Sequence, residues 1–77
     1  MSVDTLVRMA NQIAAFFRPQ GEAKAIAGTA DHIRQFWDPR MRRAIIAAVA
    51  GHQADGLDPI ARAAIDALPP VAEKRPG

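Results

Sequence analysis

The stretch IRQFWDPRMRR, residues 33–43, decides how this chain folds. Two aromatics sit side by side, an Asp-Pro pair follows at once, and three arginines fall within the next four residues. Pro39 disfavours helical geometry at the residue before it. It fits the first position of a helix, where its missing N–H costs nothing. Asp38 is suited to accept bonds from the unpaired N–H groups of that same first turn. The stretch is therefore a junction: one helix ends near Trp37 and another begins at Pro39.

Working outward, Ala23, Ile26, Ala30, Ile33 and Trp37 recur at three- and four-residue spacing, with Ala27 beside them, which predicts a helix from about Glu22 to Trp37. Gly28 lies inside it. An interior glycine costs about 1 kcal/mol relative to alanine, so its presence among small neighbours predicts the close approach of another backbone. Before it, Leu6, Met9, Ala10, Ile13, Phe16 and Phe17 form one stripe, predicting a helix from Ser2 or Asp4 to Phe17. Pro19 and Gly21 then supply the turn. After the junction, Met41, Ile45, Ala48 and Val49 make a third stripe, with Ile46 beside it, and Gly51 is the expected left-handed stop. A second Asp-Pro pair, Asp58 and Pro59, opens a fourth helix carrying Ile60, Ala64, Ile65 and Leu68, and Pro69-Pro70 end it. The likeness of DPRMRRAI to DPIARAAI is read as one capping solution used twice, with similar contributions from the two caps. The fold class expected is all-α: a small bundle of about four short helices forming one domain over residues 1–68. A mobile tail is expected over residues 69–77.

Length and composition narrow the function. A chain of 77 residues buries only about 60% of the surface its unfolded form exposes, which makes its core marginal. There is no cysteine, hence no disulfide and no thiolate ligand for zinc or iron–sulfur clusters. The N-terminus lacks the basic and apolar regions of a signal peptide. No apolar run approaches the roughly 20 residues of a membrane span. These features point to a cytoplasmic protein with no membrane partner. The formal charge is only +2, a weak electrostatic footprint for nucleic acid.

Catalysis requires a nucleophile, an acid–base pair or a bound cofactor. The chain offers one serine at its terminus, Thr5 and Thr29, no tyrosine, and two histidines, His32 and His52. His52, Asp55 and Asp58 have the spacing of a metal cluster, but they fall in a loop where Asp58 already serves as a cap, so solvated polar residues are the better reading. Asp31 and His32 are adjacent on a helix and point about 100° apart, which disfavours a proton relay. No glycine-rich phosphate loop is present. The expectation is a non-catalytic chain that binds no cofactor and no metal.

The remaining signal is aromatic and basic. Each doublet, Phe16-Phe17 and Phe36-Trp37, diverges by about 100° on its helix, so one member of the second is expected to lie exposed. Arg34, Arg40, Arg42 and Arg43 surround that doublet, and tryptophan with arginine dominates protein-interface hot spots. Trp37 and Arg43 are the expected direct contacts to a partner, followed by Arg40 and Arg42, with Phe36 and Arg34 completing the patch. The rival is a recognition helix for nucleic acid, with Trp37 as a stacking platform. Only two lysines occur in the chain, and arginine without lysine favours a protein interface.

Three segments then resemble one family. LVRMANQIAAFF (Leu6 to Phe17), ADHIRQFWDPRMRR (Ala30 to Arg43) and GLDPIARAAIDAL (Gly56 to Leu68) are similar to the delta subunit of soluble, NAD-dependent, molybdenum-containing formate dehydrogenases. The resemblance implies a small accessory subunit without its own cofactor. It implies an alpha subunit as catalytic partner, carrying the molybdenum–pterin centre and iron–sulfur clusters. It further implies beta and gamma subunits that carry FMN and more clusters and pass electrons to NAD. The implied role is assembly or stability of the active complex. A dedicated cofactor-insertion chaperone and a small nucleic-acid-binding module are the alternatives.

Overall fold

A computed structural model describes residues 2–71. The order is α1 (Val3–Phe17), a 3-10 turn (Arg18–Gln20), α2 (Glu22–Phe36), α3 (Pro39–Ala50) and α4 (Pro59–Asp66). The all-α expectation holds, with four helices and no strand among the described residues. Of the expected tail, residues 69–71 carry no regular structure, and residues 72–77 lie outside the described residues. α1 and α2 form an antiparallel hairpin through the 3-10 turn. α4 packs mainly on α2 and touches α1 and α3, while α3 leans on α1.

The caps follow the sequence closely. Ser2 Oγ accepts from the Thr5 N–H at 3.2 Å, and Asp38 Oδ1 accepts from the Met41 N–H at 2.9 Å. Asp58 Oδ2 accepts from the Ile60 N–H at 2.9 Å. The stop of α3 differs from expectation. Gly51 keeps a negative φ of −91°, and the left-handed residue is His52, at φ 58°. The Gln53 N–H reaches back to the Ala48 carbonyl at 2.8 Å and the His52 N–H to that of Val49. That is the Schellman arrangement, displaced by one residue and placed on a side chain that tolerates it less well than glycine.

The interior is made of small residues. Ala10, Ala14, Ala25, Ala61 and Ala64 are wholly buried, and Ala48 nearly so. Leu6, Ile33 and Ile45 are the large aliphatics fully enclosed, and Thr29 is buried with them. Small residues let helix axes approach to the short end of the usual 8–10 Å range. The buried faces are turned relative to the predicted stripes. On α1 the core line runs Leu6, Ala10, Ala14 and leaves Phe16 outside. On α2 it runs Ala25, Thr29, Ile33, and Ala23 is exposed. α2 is covered by α1 on one side and α4 on the other, so its buried arc is centred between them rather than on its most apolar line.

The α3–α4 loop is tied down by one side chain. Asn11 on α1 donates from Nδ2 to the Gly56 carbonyl at 2.8 Å, and its Oδ1 accepts from the Asp58 N–H at 2.8 Å. Asp58 also pairs with Arg18 at the end of α1. One carboxylate thus caps α4 and ties α4 to the α1–α2 turn. Partial burial acts to raise the Asp58 carboxyl. The bonds from Arg18 and the Ile60 and Ala61 N–H groups, with the Arg18 charge, outweigh it and hold the group below the ordinary aspartate value.

The two caps are therefore unequal, contrary to the sequence expectation. Asp38→Ala removes a cap worth about 1 kcal/mol. Asp58→Ala removes a cap and a half-exposed ion pair worth a further fraction of that, roughly 1.5–2 kcal/mol in sum. The folded-state depression places this contribution above the unfolded aspartate pKa, and it is lost as pH falls below about 4. Urea unfolding should show the gap between wild type and Asp58→Ala narrowing from pH 7 to pH 3. A gap equal to that of Asp38→Ala at pH 7, or one that is flat with pH, would contradict the role given to Arg18.

Candidate functional site

The Phe36-Trp37 doublet divides between inside and outside. α2 ends at Phe36, and Trp37 leaves the helix with extended backbone, φ −86° and ψ 136°. Its N–H still donates to the Ile33 carbonyl at 2.9 Å. Asp38 is extended too, as Pro39 requires. The chain turns, and the indole is 5% exposed, within the cluster of Leu6, Ile33, Ile45 and Ile65. Trp37 was expected to touch a partner directly. Only a small edge of the ring is left outside the chain's own core for a partner to reach. The exposed member is Phe36, at 70%.

Phe36 is not alone. Phe16, at 75% exposed, projects from α1, and both rings border one apolar hollow along the α1–α2 seam, of about 530 Å³. Met9, Ile13 and Phe17 supply its α1 wall, His32 and Phe36 its α2 wall, and Trp37 and Met41 close the end nearest α3. Phe17 meets Phe16 edge to face, with centroids 5.1 Å apart and planes at 87°. His32 lies against Phe36, with centroids 4.6 Å apart. Gly28 explains the α1 wall: a Cβ there would stand 2.7 Å from Phe17 Cδ1. The expected close approach at Gly28 is real, but the neighbour is an aromatic ring rather than a backbone.

The arginines do not form one patch. Arg34 pairs with Asp31 at 3.1 Å and borders a different hollow, shared with Ala67 and Leu68 beyond α4. Arg40 and Arg43 are exposed at the start of α3 and line a common hollow with Asp38 and Pro39. Among the described residues neither has a carboxylate within ion-pairing distance. Arg42 is half-buried, and its Nε is enclosed without a hydrogen-bond partner. Met41 borders both the apolar hollow and a smaller one shared with Arg40, whereas Arg43 lines neither of them.

The carboxylates considered for chemistry are engaged in structural bonds. Asp31 is engaged by Arg34 and by Gln35, at 2.7 Å, rather than by His32. Asp58 is taken by Arg18 and its own helix. Among the described residues no three His, Cys, Asp or Glu side chains gather to hold a metal ion. No helix among them is long and apolar enough to cross a membrane. The arrangement suits binding: an apolar groove with exposed aromatic rings at its border.

Comparison with known families agrees with the resemblance drawn above. A family model described as the NADH-dependent formate dehydrogenase delta subunit FdsD matches residues 5–65. That span includes α2 and α3 and almost all of α1 and α4, and the chain belongs to this family. No curated protein and no solved structure matches the chain significantly.

The division of the doublet is measurable in the free chain. Trp37→Ala should cost about 3–5 kcal/mol, as truncation of a buried aromatic does. A domain of this size has a total stability of roughly 4–12 kcal/mol, so the variant should be largely unfolded or close to it. Phe36→Ala should stay within about 0.5 kcal/mol of wild type, as an exposed change does. Chemical denaturation of both variants checks the pair, and equal losses would contradict the assignment of inside and outside.

Proposed function

We propose that this chain is a non-catalytic accessory subunit of a cytoplasmic, NAD-dependent formate dehydrogenase complex. Its role is to support assembly or stability of the catalytic alpha subunit. Membership of the delta-subunit family supports a place in that complex. The observation that carries the docking role is the pair of phenylalanines, Phe16 and Phe36, exposed to water beside an apolar groove. Adjacent exposed aromatics of this kind mark interaction surfaces. In this reading the molybdenum–pterin centre, iron–sulfur clusters, FMN and NAD belong to the alpha, beta and gamma subunits. The delta chain contributes a surface, with Phe36, Arg40 and Arg43 on it and Arg42 beside it. Trp37 acts indirectly, by setting the angle between α2 and α3. Arg34, on the α4 side, is outside the contact.

The test is co-expression of the whole complex with Phe16→Asp/Phe36→Asp. Both side chains are mostly exposed, so the free variant should keep its helicity. Retention of the variant on the complex should fall at least about tenfold, a shift of about 1.4 kcal/mol, which is below the ordinary cost of losing one hot-spot aromatic. Formate oxidation should then be lost faster on warming, to the extent seen when the chain is omitted. Wild-type retention of the double variant would remove the groove from the docking surface.

A further inference from the structure

The first turn of α3 is charged against its own helix. A helix N-terminus carries the positive end of the backbone dipole, which favours acids and disfavours bases there. α1 and α2 follow that rule, with Asp4 and Glu22 in their first turns. α3 has no acid in its first turn. It has Arg40 and Arg42 there, and Arg43 directly after. No acidic residue occurs from Pro39 to Ala54. Arg40 and Arg43 are exposed, and among the described residues no carboxylate lies within ion-pairing distance of either. Asp38 beside them accepts from the Met41 N–H. The Nε of Arg42 is enclosed without a hydrogen-bond partner. The cationic corner therefore acts against the stability of α3, and no acid among the described residues offsets it.

Resting on the accessory role proposed above, we infer that the α2–α3 corner is the binding surface for an acidic segment of a partner subunit, whose carboxylates pair with Arg40 and Arg43. The two arginines are three residues apart on α3, a spacing that makes side chains neighbours on one helix face. Both line one hollow of about 410 Å³ with Asp38 and Pro39. A second hollow, of about 220 Å³, shares Asp38 and Arg40 and is otherwise lined by Leu6, Met41 and Ala44. Together they offer guanidinium groups for carboxylates and an apolar recess for a neighbouring aliphatic side chain. The helix N–H groups are not the attraction, since Pro39 has none and Asp38 holds that of Met41. The guanidinium forks are, and a fork takes a carboxylate bidentately. A nucleic-acid backbone offers phosphates but no aliphatic group for the recess of Leu6, Met41 and Ala44, so an acidic protein segment is the better fit.

Charge reversal separates docking from folding. Arg40→Glu/Arg43→Glu puts acids at the end of α3 that the dipole favours, so the free variant should unfold in urea at or above the wild-type midpoint. Its retention in the co-expressed formate dehydrogenase complex should fall at least about tenfold, because the partner's carboxylates lose their counter-charges. Arg40→Lys/Arg43→Lys keeps the charge and should be retained. Its two new amines, treated with a carbodiimide in the assembled complex, should form amides with aspartates or glutamates clustered in one segment of one partner subunit. Replacing those acids by lysine should restore retention of the reversed variant. Wild-type retention of the reversed variant, failure of the swap to restore it, or amides only with this chain or a second copy, or none, would overturn the acidic partner and leave the accessory role standing. So would intact retention alongside salt-sensitive binding to mixed-sequence DNA that the reversal abolishes, which would assign the corner to nucleic acid. Failure of the wild-type chain to co-purify with formate dehydrogenase would overturn both.

Discussion

The burial of Trp37 is the contact on which the rest of this structure depends. An interior lined by Ala10, Ala14, Ala25, Ala48, Ala61 and Ala64 brings helices close, but it carries little apolar surface per residue. One large ring inserted where α2 turns into α3 supplies much of what the alanines lack, since an aromatic buries 150–250 Å². Its position also sets the path of the chain. Trp37 and Asp38 are both extended, and α3 leaves at the angle that closes Leu6 and Ile45 over the indole.

Trp37 is the one aromatic in the buried core of the described residues. Phe17 finds a half-buried berth because Gly28 has no Cβ. Phe16 and Phe36 stay in water. The other side of the hairpin is closed by α4, tied across by Asn11, Asp58 and Arg18. One flank of the α1–α2 hairpin is thus finished and the other is left open. Small helical chains of marginal stability gain from binding, because any partner that engages only the folded state adds to its stability. The exposed aromatics that would be a liability in a free protein are accounted for by a subunit that works in a complex.

Much of the architecture was legible in the sequence because its signals are local. Ser2, Asp38 and Asp58 cap where their spacing to the following N–H groups predicts, and Pro39 and Pro59 mark helix starts that neighbouring chain cannot shift. The helix faces were less legible. Thr29 at the centre of α2, rather than Ile26, is an outcome of tertiary packing between α1 and α4, which a single-helix stripe does not encode. One member of the Phe36-Trp37 doublet is exposed, as expected, but which one was not legible, for a related reason. A 100° separation applies while both residues are helical, and Trp37 is not. Asn11 and Arg18 gave no sequence signal at all, since their partners lie 40 or more residues away. The one cue to the groove was Gly28, whose interior position announced a close neighbour without saying which.

Trp37 is the only tryptophan in the chain, so its fluorescence reports on the central claim without mutation. In the folded free chain, emission should be blue-shifted and weakly quenched by acrylamide. It should move to the water-exposed position in the same cooperative transition that removes the helical signal. Docking to the formate dehydrogenase complex should leave the quenching of this ring low rather than newly protect it. A folded chain whose tryptophan emits as if in water, and becomes shielded only on joining the complex, would contradict the account: Trp37 would then be the docking residue and the alanine core would stand without it.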